Sequence, residues 1–388
     1  PRSRAKTVGG QAMDVQEKIE LLADDARFEV CAPWGSKQSP HGDDARQWIT
    51  PTVLAGGRVE PHLKVLLSNA CERDCGYCAN RCGRSFERMS FRPEELAKAF
   101  HEMWCAGLVR GLFLSSAVYG SSGLTMEREI ATVEILRTKY GFRGYVHLKL
   151  MPGTDRATVE RAMELADRVS VNLEAPNPEH LAQLTGKKDF FQELVTPMRW
   201  VKEIRERRGA DILPSGHTTQ FVVGASGESD REILSTVAGL YGQFGLARAY
   251  YSAFRPVPDT PLQDLPATPP LRELRLYQSD FLLRHYGFTL QDLAFDEGGN
   301  LPMDTDPKTL AALHQAERFP VEVNDASRRE LMRVPGIGPR SADRILQMRR
   351  QGTFRSLGDL KKAGASPSQA APFILLNGRQ PVFQARLF

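Results

Sequence analysis

The sequence predicts an α/β fold followed by a small all-α unit, and three observations carry that expectation. From residue 62 to 254, short β-branched or apolar runs alternate with helical patterns, the signature of a parallel sheet built from βα units. Six prolines then crowd into fifteen residues (Pro256, Pro258, Pro261, Pro266, Pro269 and Pro270), a stretch that neither a helix nor a central strand accommodates. Beyond Val321, the glycine-bearing sequence Val334-Pro335-Gly336-Ile337-Gly338 joins two helical patterns by a tight turn.

Residues 1 to 12 are polar and basic and read as a tail, with Met13 opening the first helical pattern. Six strands are expected, at Leu63–Ser68, Gly111–Ser115, Gly144–Lys149, Arg168–Leu173, Gln220–Val223 and Tyr250–Ala253. The helix after the first strand is well marked. Pro93 suits the first helical position, Glu94 and Glu95 favour the N-terminal dipole, and Leu96, Phe100, Met103 and Trp104 recur at helical spacing before Gly107. Similar patterns cover about 126 to 140, 155 to 166, 191 to 208 and 228 to 244, and, past the prolines, about 271 to 285 and 307 to 317. The expected organisation is an N-terminal extension over 1–50, a barrel of βα units over 51–260, a Pro-rich linker with bridging helices over 261–320 and a helix-hairpin-helix unit over 321–388.

With 388 residues, 41% of them hydrophobic, the chain is large enough for two or three domains and at least one sizeable core, which excludes a disordered or fibrous protein. No window approaches the ~18 apolar residues of a membrane span and no secretory signal opens the chain, so a cytoplasmic protein with no membrane partner is expected. Residues 321–388 hold twelve Lys and Arg against five Asp and Glu, net +7, whereas the remainder is net −3. A basic end on a mildly acidic body points to a polyanion partner for that end.

Six cysteines are too few for a disulfide scaffold in a chain this long, and Cys71, Cys75, Cys78 and Cys82 fall within twelve residues. That clustering points to metal in a reducing compartment. The spacing Cys71-x3-Cys75-x2-Cys78 follows the first strand directly, at the end of the sheet where βα folds place their chemistry. Thiolates on so short a loop can converge on one iron–sulfur cube, which needs soft ligands close together. A structural zinc site, which normally splits its ligands into two pairs, is the alternative. So is a ferredoxin-like carrier using all four thiols, although Gly83 rather than proline follows Cys82. Cys105, beside Trp104, is expected to be buried and inert, and Cys82 to take no redox part. Cys31 either lines the site or packs.

This Cys-x3-Cys-x2-Cys, with Tyr77 before the third cysteine, resembles the radical S-adenosylmethionine (radical SAM) superfamily. The resemblance implies an α/β partial (β/α)6 radical SAM barrel with an all-α helix-hairpin-helix C-terminal domain. It also implies a [4Fe–4S] cluster on Cys71, Cys75 and Cys78, with one iron left open to chelate S-adenosyl-L-methionine, and electron transfer that cleaves the sulfonium to a 5′-deoxyadenosyl radical. By the same resemblance Tyr77 lies beside the adenine, and Ser115 and Ser116 stand where the superfamily usually has a Gly-Gly-Glu segment for the methionine moiety. Asn172 and Glu174 suit the ribose or amino-acid part, and Gly224 to Glu228 is similar to the glycine-containing turn that supports adenine.

In the basic C-terminal unit, Asn324 to Ser327 cap one helix, and the Gly336-Ile337-Gly338 turn leads into a second. The amides at the start of that second helix make an anion site, with Arg340, Ser341 and Arg344 around it and Arg349 and Arg350 adding charge. Such a hairpin holds a nucleic-acid phosphate without reading bases; the alternative is a protein-interaction module. A degenerate second copy runs from Asp359 to Ala370.

From about Met13 to Pro381 the chain resembles radical SAM proteins with a C-terminal helix-hairpin-helix, a group described in terms of DNA modification or repair and linked to uracil-DNA-glycosylase-like genes. The matching segments include Leu63-Lys64-Val65-Leu66-Leu67, Tyr250-Tyr251-Ser252-Ala253-Phe254 and the hairpin turn. The implied function is radical modification or repair of a nucleotide in nucleic acid, DNA before RNA. The implied partners are an electron donor such as flavodoxin or ferredoxin and a uracil-DNA-glycosylase-like protein. Two other readings remain open: a radical SAM enzyme on RNA or a small molecule, with the hairpin as a recruitment module, and a redox-sensing iron–sulfur nucleic-acid binder.

Overall fold

The six expected apolar runs pair side by side in chain order. The structure is a computed structural model and describes residues 14–26, 49–53 and 59–382; Cys31 and the tail lie outside them. Helix α1 (Val15–Asp25) is followed by strands β1 (Ile49–Val53) and β2 (Val59–Leu66), and then α2 (Pro93–Cys105), β3 (Gly111–Ser115), α3 (Ser122–Thr138) and β4 (Tyr145–Lys149). Next come α4 (Arg156–Leu165), β5 (Arg168–Ser170), α5 (Pro178–Leu184), a π turn (Phe190–Val195), α6 (Thr196–Arg208), β6 (His217–Val223), α7 (Asp230–Phe244) and β7 (Arg248–Ala253). The seven strands form one sheet in the order β1-β2-β3-β4-β5-β6-β7. Strands β2 to β7 are parallel and β1 is antiparallel on the edge. The sheet is a curled half-barrel.

Side chains alternate along each strand, so the register assigns every residue to a face. Leu63 and Val65, Leu112 and Leu114, Val146 and Leu148, and Val169 and Val171 are all buried on one face, where the helices pack. The opposite face is polar and basic. Lys64, Phe113, His147 and Arg168 stand in one row, Lys149, Ser170, Thr218 and Arg248 in the next. The His147 ring stacks on Phe113 at 4.2 Å. Burial, reinforced by Arg168, His62 and Lys149, holds its pKa well below the ordinary histidine value. The edge strand β1 was not expected. Its Ile-Thr-Pro-Thr-Val sequence lacks an apolar run, and Pro51 pairs opposite Pro61, which only an edge tolerates.

The chain divides into two compact units, Pro1–Gly227 with Leu240–Ala267, and Glu228–Gly239 with Thr268–Phe388. The second unit holds α8 (Pro270–His285), α9 (Pro307–His314), β8 (Val321–Glu322), α10 (Arg328–Arg333), α11 (Pro339–Met348), α12 (Leu357–Lys362), α13 (Pro367–Ala370) and β9 (Ile374–Leu375). Its core gathers Val323, Leu331, Val334, Ile345, Phe354, Leu360 and Ile374, with Ala312, Tyr286 and Phe319 packed in. That core thus draws in residues from before Val321.

A Cβ added at Gly144 would stand 2.5 Å from the Phe142 ring and 2.6 Å from the Arg110 carbonyl. Gly144→Ala is expected to destabilise the protein by about 1–3 kcal/mol, read as a lower denaturant midpoint with an unchanged slope.

Candidate active site and hairpin

The cysteine loop leaves β2 and is pinned along its length. Arg88 donates to the carbonyls of Asn69 (3.1 Å), Asn80 (3.0 Å), Arg81 (2.6 Å) and Arg84 (3.1 Å), so one guanidinium gathers both ends of the loop. Midway, the Gly76 N–H donates to the Leu184 carbonyl at 2.7 Å, and a Cβ there would crowd Leu262 at 3.2 Å. Asp74 accepts from the Thr185 hydroxyl at 2.6 Å, and Arg73 pairs with Glu193 at 2.7 Å. The loop is thus fastened on both sides of Cys75 to the segment around the end of α5.

Cys71 and Cys78 are partly buried and Cys75 is buried. Burial raises the Cys71 thiol, and burial together with Cys75 pushes Cys78 up to about 12. Against them lies Lys188, which the sequence reading missed. Its ammonium stands 3.5 Å from the Glu174 carboxylate, and both side chains are 7% exposed. Burial works against the Lys188 charge, yet Cys75, Glu174 and Cys78 outweigh it and hold its pKa above the usual lysine value. It also hydrogen-bonds Cys75. Lys188 lies in a Gly-Lys-Lys-Asp loop that no motif marks, so only the fold could find it.

Glu174 closes the strand-end geometry. Its φ of 66° is left-handed, which costs a non-glycine residue about 1–2 kcal/mol. Two backbone bonds to β6 hold it there, Glu174 N–H to the Gln220 carbonyl and Val222 N–H to the Glu174 carbonyl, both 2.9 Å. The Tyr77 hydroxyl bonds the Glu174 carboxylate, and burial with that neighbouring charge raises the phenol well above its normal value. The fold therefore brings together Cys71, Cys75, Cys78, Tyr77 and Glu174, with Lys188 added.

The remaining expected residues lie on other segments, with Ser115 and Ser116 bonded beside the end of β2. Ser115 is buried at the end of β3, and the Ser116 hydroxyl donates to the Ala117 carbonyl at 2.7 Å. Asn172 is buried on the same alternation as Glu174. Gly224 follows β6 at φ 89°. Glu228 belongs to the second unit, where its carboxylate lies 3.7 Å from Arg272. Cys82 receives a bond from Lys187 at 3.8 Å. Cys105 corrects its expectation: it is exposed, 3.5 Å from His101, half a helical turn around from the buried Leu96 stripe.

The hairpin is built as the turn chemistry requires. Ser327 accepts from the Glu330 N–H at 3.2 Å and caps α10, Gly336 turns at φ 77°, and Gly338 caps α11. The first bond of α11 runs from the Ala342 N–H to the Gly338 carbonyl at 2.8 Å, leaving the N–H groups of Gly338, Arg340 and Ser341 outside the helical ladder. Arg340 and Arg344 are exposed, whereas Ile337 is buried. The Ser341 hydroxyl is engaged internally, donating to the Gly364 carbonyl at 2.7 Å. Arg349 donates to the Ala326 carbonyl at 2.6 Å.

The degenerate copy packs reciprocally. A Cβ on Gly336 would meet the Ser366 carbonyl at 2.7 Å, and one on Gly364, at φ 80°, would meet Arg344 at 3.1 Å. The Ser366 N–H in turn donates to the Gly336 carbonyl at 2.8 Å.

A parallel half-barrel whose first parallel strand runs into a loop with the Cys-x3-Cys-x2-Cys spacing defines a class of protein. Residues 65–238 match the Radical SAM superfamily, and residues 318–364 match the helix-hairpin-helix motif. The chain thus carries a stretch that matches the Radical SAM superfamily and, beyond it, a helix-hairpin-helix motif; [4Fe–4S] and S-adenosyl-L-methionine are the cofactors of that superfamily. No curated protein matches it.

Solved structures similar to it include HydG, a maturase of the [FeFe]-hydrogenase, at 12% identity and TM-score 0.43, covering 56% of this chain and 48% of that one. Methylornithine synthase (PylB) stands at 18% and 0.42, covering 55% and 59%. The radical S-adenosylmethionine methyltransferase TsrM from Kitasatospora setae stands at 15% and 0.40, covering 51% and 35%. The chain thus spans about half the length of the first two.

Among the described residues no three His, Cys, Asp or Glu side chains already converge as a metal site, so the fit to the cluster is one of residue type: soft thiols share one fastened loop, with a buried cation to balance thiolate charge. Replacing Cys71, Cys75 or Cys78 by Ala is expected to abolish the visible absorbance of reconstituted protein, whereas Cys82→Ala retains it. Loss of all iron in Cys82→Ala would refute the three-thiol set. Lys188→Met is expected to lower reconstituted iron and sulfide per chain at least twofold, with Lys188→Arg closer to wild type.

Proposed function

We propose that this protein is a radical SAM enzyme that modifies or repairs a nucleotide in nucleic acid, DNA before RNA, with the hairpin unit anchoring the polymer. Cys71, Cys75 and Cys78 would hold the [4Fe–4S] cluster. That cofactor supplies the electron that cleaves S-adenosyl-L-methionine to a radical able to abstract hydrogen. Tyr77, Ser115, Ser116, Asn172, Glu174, Gly224 and Glu228 are the candidate contacts for S-adenosyl-L-methionine, and a flavodoxin or ferredoxin is the candidate donor.

One observation carries the reading: a single chain joins this thiol loop to a hairpin whose helix opens on free amides flanked by exposed Arg340 and Arg344. Amides and arginines so placed suit backbone phosphate and read no base. The cationic rows of the sheet, Lys64 with Arg168 and Lys149 with Arg248, further support an anionic substrate. A base inside a duplex would have to leave the stack to reach a barrel, which favours a damaged or single-stranded site.

Anaerobic turnover with a chemical reductant tests the proposal. Formation of 5′-deoxyadenosine is expected to rise several-fold with added DNA, and equal rates with DNA, RNA or neither would overturn it. At the hairpin, each neutralised phosphate contributes about 0.9 to the logarithmic salt slope of duplex binding. The double variant Arg340→Ala with Arg344→Ala is expected to lower that slope by up to about two and to weaken all sequences alike. An unchanged slope would make the hairpin a protein-interaction module. Gly224→Val, strained at φ 89°, is expected to weaken S-adenosyl-L-methionine binding while cluster absorbance persists, checked by equilibrium dialysis.

A further inference from the structure

Outside the matched hairpin segment, one half-buried cation reaches into its turn. Lys308 stands at the second position of α9, and its ammonium donates to the Ile337 carbonyl at 2.6 Å. The ammonium lies 4.7 Å from the centre of the Tyr286 ring, and the Tyr286 hydroxyl approaches the Gly338 backbone, 3.2 Å from where a Cβ would stand. Lys308, Tyr286 and the turn all belong to the same compact unit.

We propose that Lys308 is a positioning residue of the hairpin's phosphate site, acting from behind through the peptide group that joins Ile337 to Gly338. The proposal rests on the reading that this hairpin binds nucleic acid. The Ile337 carbonyl and the Gly338 N–H are opposite ends of one planar, conjugated group. A charged donor on the carbonyl makes a strong bond and polarises the group, so the N–H at its far end becomes a better donor to an anion. That N–H belongs to the N-cap of α11 and is one of those left outside the helical ladder. The same bond fixes the plane of the peptide and so the direction in which the N–H points. Lys308 itself stays behind the turn and meets no phosphate directly.

The chemistry has a consequence that a purely structural lysine would lack. Burial brings Lys308 down to about 7, opposed by Asp306, the cap of its own helix. From α8 it meets the Tyr286 ring, and from the hairpin a carbonyl. Near neutrality the ammonium is therefore only partly protonated. A phosphate across the peptide favours the charged form, so binding takes up protons. The sign follows from linkage: affinity is greatest below pH 7 and falls as pH rises through 7 to 8.

The test uses the full chain and a fluorescein-labelled DNA duplex, followed by fluorescence anisotropy at constant salt from pH 6 to 8.5. Wild-type affinity is expected to fall several-fold across this range. Lys308→Met is expected to bind several-fold more weakly at pH 6.5 and to show a flat profile. Lys308→Arg keeps the charge, so it is expected to bind as wild type at pH 6.5 and stay flat to pH 8.5. The salt slope of Lys308→Met should stay within about 0.5 of wild type, unlike the loss of up to about two in the arginine double variant.

A wild-type pH profile retained in Lys308→Arg overturns the proposal, even if Lys308→Met fails to fold. A wild-type protein that binds the duplex with no dependence on Arg340 and Arg344 overturns the nucleic-acid reading, and Lys308 falls with it. Binding that depends on those arginines but is flat in pH refutes the role of Lys308 alone.

Discussion

Where β5 ends, a lysine and a glutamate face each other at 3.5 Å with almost no access to water. Taking two such charges out of solvent costs several kcal/mol each, and breaking a buried pair by removing one partner typically costs about 3–5 kcal/mol. Glu174 reaches that position only by accepting a left-handed backbone, held by paired bonds to β6. Through its carboxylate it also engages Tyr77, and through Lys188 it reaches Cys75. One ion pair thus joins the sheet, the thiol loop and the segment beyond α5. The loop's other fastenings, from Arg73, Asp74 and Gly76, converge on that same segment.

The sheet was legible because its parallel strands are buried on the helix side and read as apolar runs, and each of the six expected runs is a strand. The thiol spacing likewise identified the loop before any coordinate. Other features were illegible for particular reasons. β1 carries no apolar period and owes its place to pairing with β2. Helix α5 spans seven residues, too short for a recurring stripe. Lys188 is one of two adjacent lysines in a polar loop, and nothing in the sequence distinguishes the buried one. Cys105 shows the reverse case, since counting around α2 from Leu96 would have placed it on the outer face.

The hairpin's local chemistry was readable from its glycines and its Ser327 cap, but its supports were not. Tyr286, Lys308 and Asp292 lie far upstream in sequence. Arg333, at the end of α10, is held by Asp292 through two bonds of 2.6 and 3.0 Å and stacks on Phe288 at 4.5 Å. Desolvation opposes this arrangement, yet Arg333 and the Thr289 amide hold the Asp292 carboxyl well below the usual carboxylate range. The pair is therefore formed at any pH at which the carboxylate is ionised, and only strong acid would release it. A motif of a few dozen residues is thereby set in a larger scaffold that its own sequence does not announce.

The reciprocal seating of Gly336 and Gly364 bears on how this unit can change over time. Each glycine sits against the other hairpin's second helix: a Cβ at Gly336 would collide with the Ser366 backbone, whereas one at Gly364 would press on the flexible end of Arg344 and be strained by its φ of 80°. The first turn cannot drift alone: an accepted change at Gly336 must be met by a matching change near Ser366 and Gln369, while one at Gly364 asks chiefly for a backbone free of its left-handed strain. Among descendants of this chain the two halves should therefore diverge in step. A duplicate that has lost the look of its twin would still be legible in the paired histories of these positions.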